Sequence, residues 1–265
     1  MKKPFTLKSA KSKSLNGIIC VPSDKSISIR ALIISSLCLG NSKIFNLLES
    51  DDVKNTMKSL RKLGVKIQKK KGIYEVYGNG GVFKQPSNSL YLGNSGTGVR
   101  LLTGLLSTRN INVTLTGDKS LSLRPMLRII EPLELMNLTI KSNRGCLPLI
   151  LKKNKKKVSI PITYNLKIGS AQIKSAILLA STNIKGTTEI IEKFPSRDHT
   201  EIMLKFFGAD IVKKKKTITI NSPTFLEPKI LKVPGDFSSA AFLIVATLIT
   251  KNSNLCIKGV GLNYY

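Results

Sequence analysis

Three segments of the sequence place a basic residue four positions after a small residue that begins an apolar run. They are SISIRALIIS from residue 26, GTGVRLLTGL from residue 96 and SAQIKSAILL from residue 170. A helix N-terminus carries free backbone N–H groups and the positive end of the helix dipole, so it favours an anion. A cation one turn further on adds a charge-assisted contact to a phosphate or carboxylate. The pattern therefore predicts related helix starts that can hold several anionic groups side by side.

The stretch VPSDKSISIR at residues 21–30 is the helix start with the most unfavourable charge. It places Lys25 and Arg30 on the first turns of a predicted helix, where cations oppose the helix dipole. A solvated basic face is the simpler interpretation of any one such cluster, because serine-rich helix starts are common. A bound anion is the alternative, since it would offset the unfavourable charge.

The composition is strongly basic, with 43 Lys and Arg residues against 15 Asp and Glu residues and a formal net charge of +28. Such a charge is typical of proteins that bind nucleic acid or an anionic membrane surface. Only 8 of the 43 cations are arginine, which is favoured in phosphate and base recognition, and no aromatic stripe accompanies them. We therefore interpret the charge as compositional, and we expect no nucleic-acid partner.

Other features limit the class of protein. The single histidine, His199, makes a zinc site improbable, and the four cysteines form no CxxC pair, which favours a reducing, cytoplasmic setting. The longest apolar run, residues 240–249, is too short to cross a bilayer, so we expect no membrane partner. The basic residues 1–14 contain no apolar core segment and predict a strand rather than a leader. The lysine runs 152–157 and 213–216 predict solvated hairpins.

The three segments belong to three longer repeats. Each first helix is followed by a β-branched strand, an amphipathic helix and two more strands. Gly64, Asn137 and Gly208 fall at matching ends of the second helices, where left-handed caps are expected. A fourth copy begins at residue 233 and stops in mid-unit. The predicted fold class is α/β (α+β), built of βαβαββ repeats, three complete and a fourth interrupted.

Six blocks of the sequence resemble, in order, the signature blocks of the 5-enolpyruvylshikimate-3-phosphate (EPSP) synthases. They are VPSDKSISIRALI, YLGNSGTGVRLL, DKSLSLRPMLRIIEPL, SAQIKSAILLA, SRDHTEIMLKFFGADI and VPGDFSSAAFLIVATLI. The SAQ and SRDHTE forms are similar to those of the bacterial class II branch. The resemblance implies the enolpyruvyl transferase fold, an inside-out α/β barrel. It also implies three segments: first strands of a split domain at 1–22, a complete three-repeat domain at 23–232 and a truncated return at 233–265.

The resemblance implies an activity as well. The family transfers the enolpyruvyl group of phosphoenolpyruvate to the 5-hydroxyl of shikimate 3-phosphate and releases phosphate, on the way to chorismate and the aromatic amino acids. It implies these two small-molecule substrates, no cofactor, no metal, and a monomer when the protein is complete. The family's acid/base carboxylates and two further arginines lie in a C-terminal half with no counterpart here. We therefore expect these 265 residues alone not to turn over substrate.

The resemblance also assigns site residues. It implies that shikimate 3-phosphate is bound by Lys25, Ser26, Arg30, Ser170, Ala171, Gln172, Ser196 and Arg197. It implies that phosphoenolpyruvate is bound by Lys25, Asn94, Gly96, Thr97, Arg124 and Gln172. Lys25, shared by both sets, is the candidate catalytic residue. Four carboxylates match none of the family's acid/base positions, and we expect each to be a helix cap or loop ligand: Asp24, Asp52, Asp118 and Asp236.

Three alternatives stay open at this level. The sister enzyme that acts on UDP-N-acetylglucosamine shares the repeats, but its NGAKN-type start and reactive-loop cysteine are not visible. A basic nucleic-acid-binding protein would show steeply salt-dependent affinity for generic DNA or RNA. An inert or regulatory fragment would only bind phosphorylated anions.

Overall fold

A computed structural model describes residues 6, 8, 10–153 and 158–265. Half of the residues 1–14 and the last four residues of the first lysine run lie outside these residues. The described part of 1–14 contains no strand, so the predicted strand is wrong there, and the first strand begins only at Asn16. The chain divides into two compact units. The terminal unit holds the described residues up to Asp24 together with Pro234–Leu262, and the three-repeat unit holds Lys25–Val233 with Asn263–Tyr265. The predicted segments 1–22, 23–232 and 233–265 refer to domains of a longer protein and stay a prediction.

The helices and strands follow one another in a repeated order. The chain starts with β1 (Asn16–Cys20), α1 (Lys25–Ser36), β2 (Leu39–Phe45), α2 (Asp51–Lys62), β3 (Lys66–Lys70) and β4 (Ile73–Asn79). It continues with β5 (Leu90–Tyr91), α3 (Gly96–Ser107), β6 (Val113–Thr116), α4 (Lys119–Ser122), α5 (Leu127–Leu135), β7 (Ile140–Asn143) and β8 (Cys146–Leu151). The third repeat contains β9 (Thr163–Leu166), α6 (Ala171–Ser181), β10 (Gly186–Glu192), α7 (His199–Phe206), β11 (Ile211–Lys214) and β12 (Thr217–Ser222). The described chain ends with β13 (Ile230–Lys232), α8 (Phe237–Ile249) and β14 (Asn254–Lys258).

Three four-stranded sheets share one plan. Their strand orders are β13-β2-β4-β3, β5-β6-β8-β7 and β9-β10-β12-β11. In each sheet, the edge strand that comes first in these orders is parallel to its neighbour and the other pairs are antiparallel. As the repeat pattern predicts, β5 and β9 precede the first helices of the second and third repeats and form the parallel edges of their sheets. In the first sheet β13 takes this edge, because β1 pairs in parallel with β14.

The first helices of the repeats form the centre of the three-repeat unit. Nearly all side chains of α1, α3 and α6 are buried, which explains why these helices are apolar on every face. The amphipathic helices α2, α5 and α7 pack beside them. Gly104 of α3 faces the backbone of Ala176 in α6, so close that an added Cβ would overlap it. Small residues therefore set the distance between these two helices.

The predicted helix ends and one predicted hairpin are confirmed. Gly64, Asn137 and Gly208 have φ angles of +90°, +62° and +99°, as left-handed caps require. The lysine run at 213–216 turns between β11 and β12, with Lys215 at a φ of +52°. The second repeat contains one helix more than the repeat pattern predicts. The short helix α4 precedes the amphipathic helix α5, and Pro125 lies between the two.

The terminal unit contains one parallel strand pair and one helix. Asp236 caps α8 by accepting the Ser238 N–H at 2.8 Å, which confirms its predicted role as a cap. Only Ala240 of α8 is buried, while Phe242 and Leu248 are each about 80% exposed. Among the described residues, no helix combines the length and apolarity needed to cross a membrane.

Candidate active site

The starts of α1, α3 and α6 meet at one small cavity. Seven residues line it, six of them predicted from the sequence: Ser26, Arg30, Thr97, Ala171, Gln172, Arg197 and His199. The cavity measures about 20 Å³, which is enough for one water-sized group. Part of a phosphate group fits this space, whereas a whole sugar phosphate would have to extend beyond it.

Arg30 is the most strongly fixed cation at this cavity. Its side chain is buried, and its Nε donates to Thr200 Oγ1 at 2.7 Å while its Nη2 donates to Ser175 Oγ at 3.1 Å. Its Nη1 donates to the Ser26 carbonyl oxygen at 3.1 Å. These three bonds fix the orientation of the guanidinium. Arg30 therefore presents a positioned cation at the cavity, a group that makes bidentate contacts to a phosphate or carboxylate.

A second cationic group surrounds Gly96. The Nη1 atoms of Arg100 and Arg124 both lie 3.0 Å from the position that a Cβ on Gly96 would occupy. Arg124 Nη2 also donates to Asn94 Oδ1. Burial and the repulsion from Arg128 and Arg124 lower the pKa of Arg100. The close approach of these arginines leaves positive charge that a bound anion would neutralise.

Gln172 connects the two cationic groups. Its Nε2 donates to Thr97 Oγ1 at 3.2 Å, and its Oε1 accepts from Arg100 Nη1 at 2.8 Å. It lies at the second position of α6, just after Ser170, whose hydroxyl caps the helix by accepting the Ile173 N–H at 3.4 Å. Because this hydroxyl only accepts in the cap, its own proton is available to a ligand.

Lys25 begins α1 and makes an ion pair at the edge of the site. Its Nζ lies 3.1 Å from Asp52 Oδ2, and the lysine side chain is 46% exposed. Asp52 is therefore neither the helix cap nor the loop ligand that was predicted, because it lies in the first turn of α2 and pairs with a lysine.

Asp118 has its predicted role, since it caps α4 by accepting the Leu121 N–H at 2.7 Å. Asp118 also accepts from Asn94 Nδ2 at 3.0 Å.

The third predicted cation does not face the site. Lys174 is fully buried, and its Nζ lies 2.8 Å from Glu192 Oε1 and 2.6 Å from Glu201 Oε1. The expectation that each helix start supplies a cation to an anion is therefore wrong for α6. The two carboxylates come from β10 and α7 and neutralise this lysine inside the protein.

The same ion pairs hold the loop that carries Ser196 and Arg197. The Ser196 hydroxyl donates to Glu192 Oε1 at 2.6 Å, its N–H donates to the same oxygen at 3.1 Å, and its carbonyl oxygen accepts from Lys174 at 3.1 Å. The hydroxyl proton of Ser196 is therefore in use, whereas Arg197 is exposed beside the cavity. Ser196 can donate to a ligand only by releasing Glu192.

Sequence reasoning missed two contributors to this region: His199 lines the cavity, and Glu192 fixes the Ser196 loop. Arg100, the predicted cation of the second helix start, bonds Gln172, although the family resemblance assigned it to neither substrate. Glu192 had no signal in the sequence, since its partner Lys174 is distant in sequence and becomes a neighbour only when β10 packs beside α6.

Glu201 predicts a pH-dependent contribution to stability. Burial raises the pKa of Glu201 above the ordinary value of 4.5, although Lys174 opposes the shift. The folded state therefore favours the protonated carboxyl, and this stabilisation is full below the unfolded pKa and is lost as the pH rises through the folded pKa. We expect Glu201→Gln to remove this part of the pH dependence, as measured by urea unfolding over a pH series. An unchanged pH profile would contradict the prediction.

Comparison with known proteins identifies the fold and the family. The sequence profile of EPSP synthase (3-phosphoshikimate 1-carboxyvinyltransferase) matches residues 9–265. Two curated relatives bear the name 3-phosphoshikimate 1-carboxyvinyltransferase. The protein from Leuconostoc mesenteroides is 47% identical over 259 residues, which are 97% of this chain and 59% of the relative. The protein from Zymomonas mobilis is 46% identical over 264 residues, which are 97% of this chain and 58% of the relative.

A solved structure gives the same result. The EPSP synthase from Acinetobacter baumannii superimposes with a TM-score of 0.87 at 38% identity, over 96% of this chain and 58% of that one. This similarity confirms the predicted enolpyruvyl transferase fold. The chain spans less than two thirds of the length of each of these relatives. With a family profile that matches almost all of its residues, the chain belongs to the EPSP synthase family.

Proposed function

We propose that this site binds shikimate 3-phosphate and phosphoenolpyruvate for transfer of the enolpyruvyl group to the 5-hydroxyl, with release of phosphate. The observation that carries the proposal is the meeting of three helix starts beside Arg30, whose guanidinium is oriented by Thr200 and Ser175. Both substrates carry a phosphate and a carboxylate, so the site must supply several cations at short range. The named relatives support the same reaction.

For shikimate 3-phosphate, the proposed ligands surround the small cavity. Arg30 and Arg197 face the phosphate with bidentate geometry, and the N–H groups at the starts of α1 and α6 add to the field. Ser26, Ala171 and Gln172 line the same cavity. Ser170 donates its free hydroxyl proton, and Ser196 contributes after its bond to Glu192 is exchanged for one to the ligand.

For phosphoenolpyruvate, the proposed ligands surround Gly96. Arg124 is oriented by Asn94, and Arg100 is oriented by Gln172, so both guanidinium groups are directed before substrate binds. Thr97 lies at the start of α3 and bonds Gln172. Cations in this arrangement stabilise the charge that develops on the departing phosphate.

Lys25 is the proposed catalytic residue, because it lies at the start of α1 and its compact ammonium group can contact anions of both substrates. Its ion pair with Asp52 holds the ammonium group at the edge of the site until substrate competes for it. The proposed setting is the cytoplasm, with a monomeric complete protein that needs no cofactor and no nucleic acid. The four free cysteines suit such a reducing compartment.

Replacing Lys25 tests the shikimate 3-phosphate assignment. We expect Lys25→Met to weaken binding of shikimate 3-phosphate by at least tenfold, about 1.4 kcal/mol, because a charge-assisted contact is lost. Titration calorimetry on the purified chain measures the change. Lys205→Met, which alters an exposed lysine in the last turn of α7, is the matched control and should leave the affinity unchanged. Equal affinity in the two variants would refute the assignment of Lys25.

Replacing Gly96 tests the phosphoenolpyruvate assignment. A methyl group there would lie 3.0 Å from Nη1 of both Arg100 and Arg124, so these guanidinium groups must shift outward. We expect Gly96→Ala to weaken phosphoenolpyruvate binding in the presence of shikimate 3-phosphate, about tenfold, while shikimate 3-phosphate alone binds as before. Calorimetry with each ligand separates the two effects. Equal losses for both ligands would count against two distinct subsites.

A further inference from the structure

A second cavity lies at the opposite ends of the same three helices. It measures about 240 Å³ and belongs wholly to the three-repeat unit. Leu37 follows α1, Arg109 follows α3, and Thr182 and Asn183 follow α6, so each repeat contributes to its wall. None of its lining residues is among those assigned to the two substrates.

Arg109 is the only charged residue among the described residues that line this cavity. Its Nη1 donates to Asn183 Oδ1 at 2.8 Å and its Nη2 donates to Thr182 Oγ1 at 3.2 Å, both neutral oxygens. No carboxylate among the described residues forms an ion pair with it, and its buried Nε has no hydrogen-bond partner there. Burial lowers the pKa of the guanidinium to about 10. A desolvated cation without a counter-charge is costly, so an anion would relieve it.

The rest of the wall is largely apolar, and two further lining residues, Asn79 and Thr224, each hold a buried oxygen without a hydrogen-bond partner among the described residues. Leu37 and Leu226 are buried in its wall, while Leu39 and Phe225 at its edge are 68% and 80% exposed. Thr224 lines the cavity with a buried Oγ1 that has no hydrogen-bond partner among the described residues. Exposed large apolar side chains around a cavity are typical of a binding surface. The combination suits a ligand with an anionic group and an apolar body.

We propose that this cavity is a second ligand site, which takes a small carboxylate with an apolar body. The carboxylate lies against the guanidinium of Arg109, whose charge is balanced by no ion pair among the described residues. The apolar body packs on Leu37, Leu39 and Phe225. The volume lies below the roughly 300–1,000 Å³ of ordinary drug-sized sites, so the ligand is a small one.

Benzoate is the probe, because it combines a carboxylate with a compact apolar ring. We expect benzoate to bind the purified chain saturably, as followed by nitrogen-edited NMR and calorimetry, and the neutral isostere benzamide to bind at least tenfold more weakly. Benzoate that does not bind, or binds no better than benzamide, overturns the proposal. The Lys25→Met chain distinguishes this cavity from the proposed substrate site. Benzoate should bind that variant with the same affinity as the original chain, because Lys25 does not line this cavity.

Arg109→Met should weaken benzoate binding by at least tenfold, whereas Arg144→Met, which alters an exposed arginine in the β7–β8 turn, should not. Leu39→Glu is a second variant that does not depend on removing a buried group. Its exposed carboxylate would occupy Arg109 and exclude benzoate from a folded chain. Unchanged benzoate affinity in both Arg109→Met and Leu39→Glu overturns the proposal. Shikimate 3-phosphate affinity is unaffected in these variants, so failure here is distinct from failure of the proposed function.

Discussion

Lys174→Met is expected to lower the free energy of unfolding by about 3–5 kcal/mol, the range for breaking a buried ion pair from one side. Lys174 is fully buried and its Nζ lies within 2.8 Å of oxygens from both Glu192 and Glu201. Methionine fills a similar volume, so the loss comes from two buried carboxylates that keep, among the described residues, only Lys213, 3.7 Å from Glu192 Oε2, as a neighbouring cation. Burial already raises the pKa of Glu201, and loss of the lysine, which opposes that shift, would raise it further.

Urea unfolding at neutral pH measures this effect, and the chain contains a matched control. Lys167 pairs with Glu131 at 2.6 Å, but the two side chains are 72% and 50% exposed. Exposed pairs of this kind contribute about 0–1 kcal/mol, so Lys167→Met should change stability little. A loss in Lys174→Met no larger than in Lys167→Met would show that the buried pairs are not required for stability.

The Lys174 variant also affects the site indirectly. Lys174 and Glu192 together hold the backbone and hydroxyl of Ser196. Under conditions where the variant stays folded, we expect it to bind shikimate 3-phosphate more weakly than the original chain because this loop is released. The structural lysine of the third repeat thus positions a loop next to the site, although it contacts no substrate.

The repeats could be predicted because their signals are local. Gly64, Asn137 and Gly208 mark helix ends through their own backbone conformations, and the β-branched runs mark strands. The local pattern does not show that β13 completes the first sheet, since an edge strand has the same pattern wherever it pairs. Local patterns define the elements, whereas strand pairing depends on which edge remains free after the chain has folded around it.

Local sequence patterns are equally insufficient to predict the contacts of the site residues. Arg30 and Lys174 share one motif position, and nothing next to them in sequence shows that one faces the cavity and the other pairs with carboxylates. Their positions differ because β10 and α7 bring Glu192 and Glu201 to Lys174 in α6, whereas Thr200 and Ser175 orient the guanidinium of Arg30 beside the cavity. The family resemblance assigned Arg30 to substrate binding without this reason. That reason depends on the packing of β10 and α7 against α6, which the local sequence does not show.

Gly104→Ala is expected to destabilise the chain by about 3 kcal/mol, at the upper end of the range for overpacking. An alanine Cβ there would lie 2.6 Å from Ala176 Cα and 2.7 Å from its carbonyl carbon, and closer still to its carbonyl oxygen. These are backbone atoms of α6, so no side-chain rotation relieves the overlap and the two helices must separate. Helix propensity alone predicts the opposite sign, a gain of about 1 kcal/mol for alanine over glycine inside a helix.

Gly98→Ala in the same helix separates the two kinds of crowding. Its Cβ would lie 2.7 Å from Ser95 Oγ and Thr56 Oγ1, which are side-chain atoms that can move. We expect urea unfolding to show a clearly smaller loss for Gly98→Ala than for Gly104→Ala. A stabilised Gly104→Ala chain would refute the close packing of α3 on α6. Because Thr97 and Gln172 bond across the starts of these two helices at 3.2 Å, separation of α3 from α6 should also weaken phosphoenolpyruvate binding, which links the packing of one glycine to the geometry of the site.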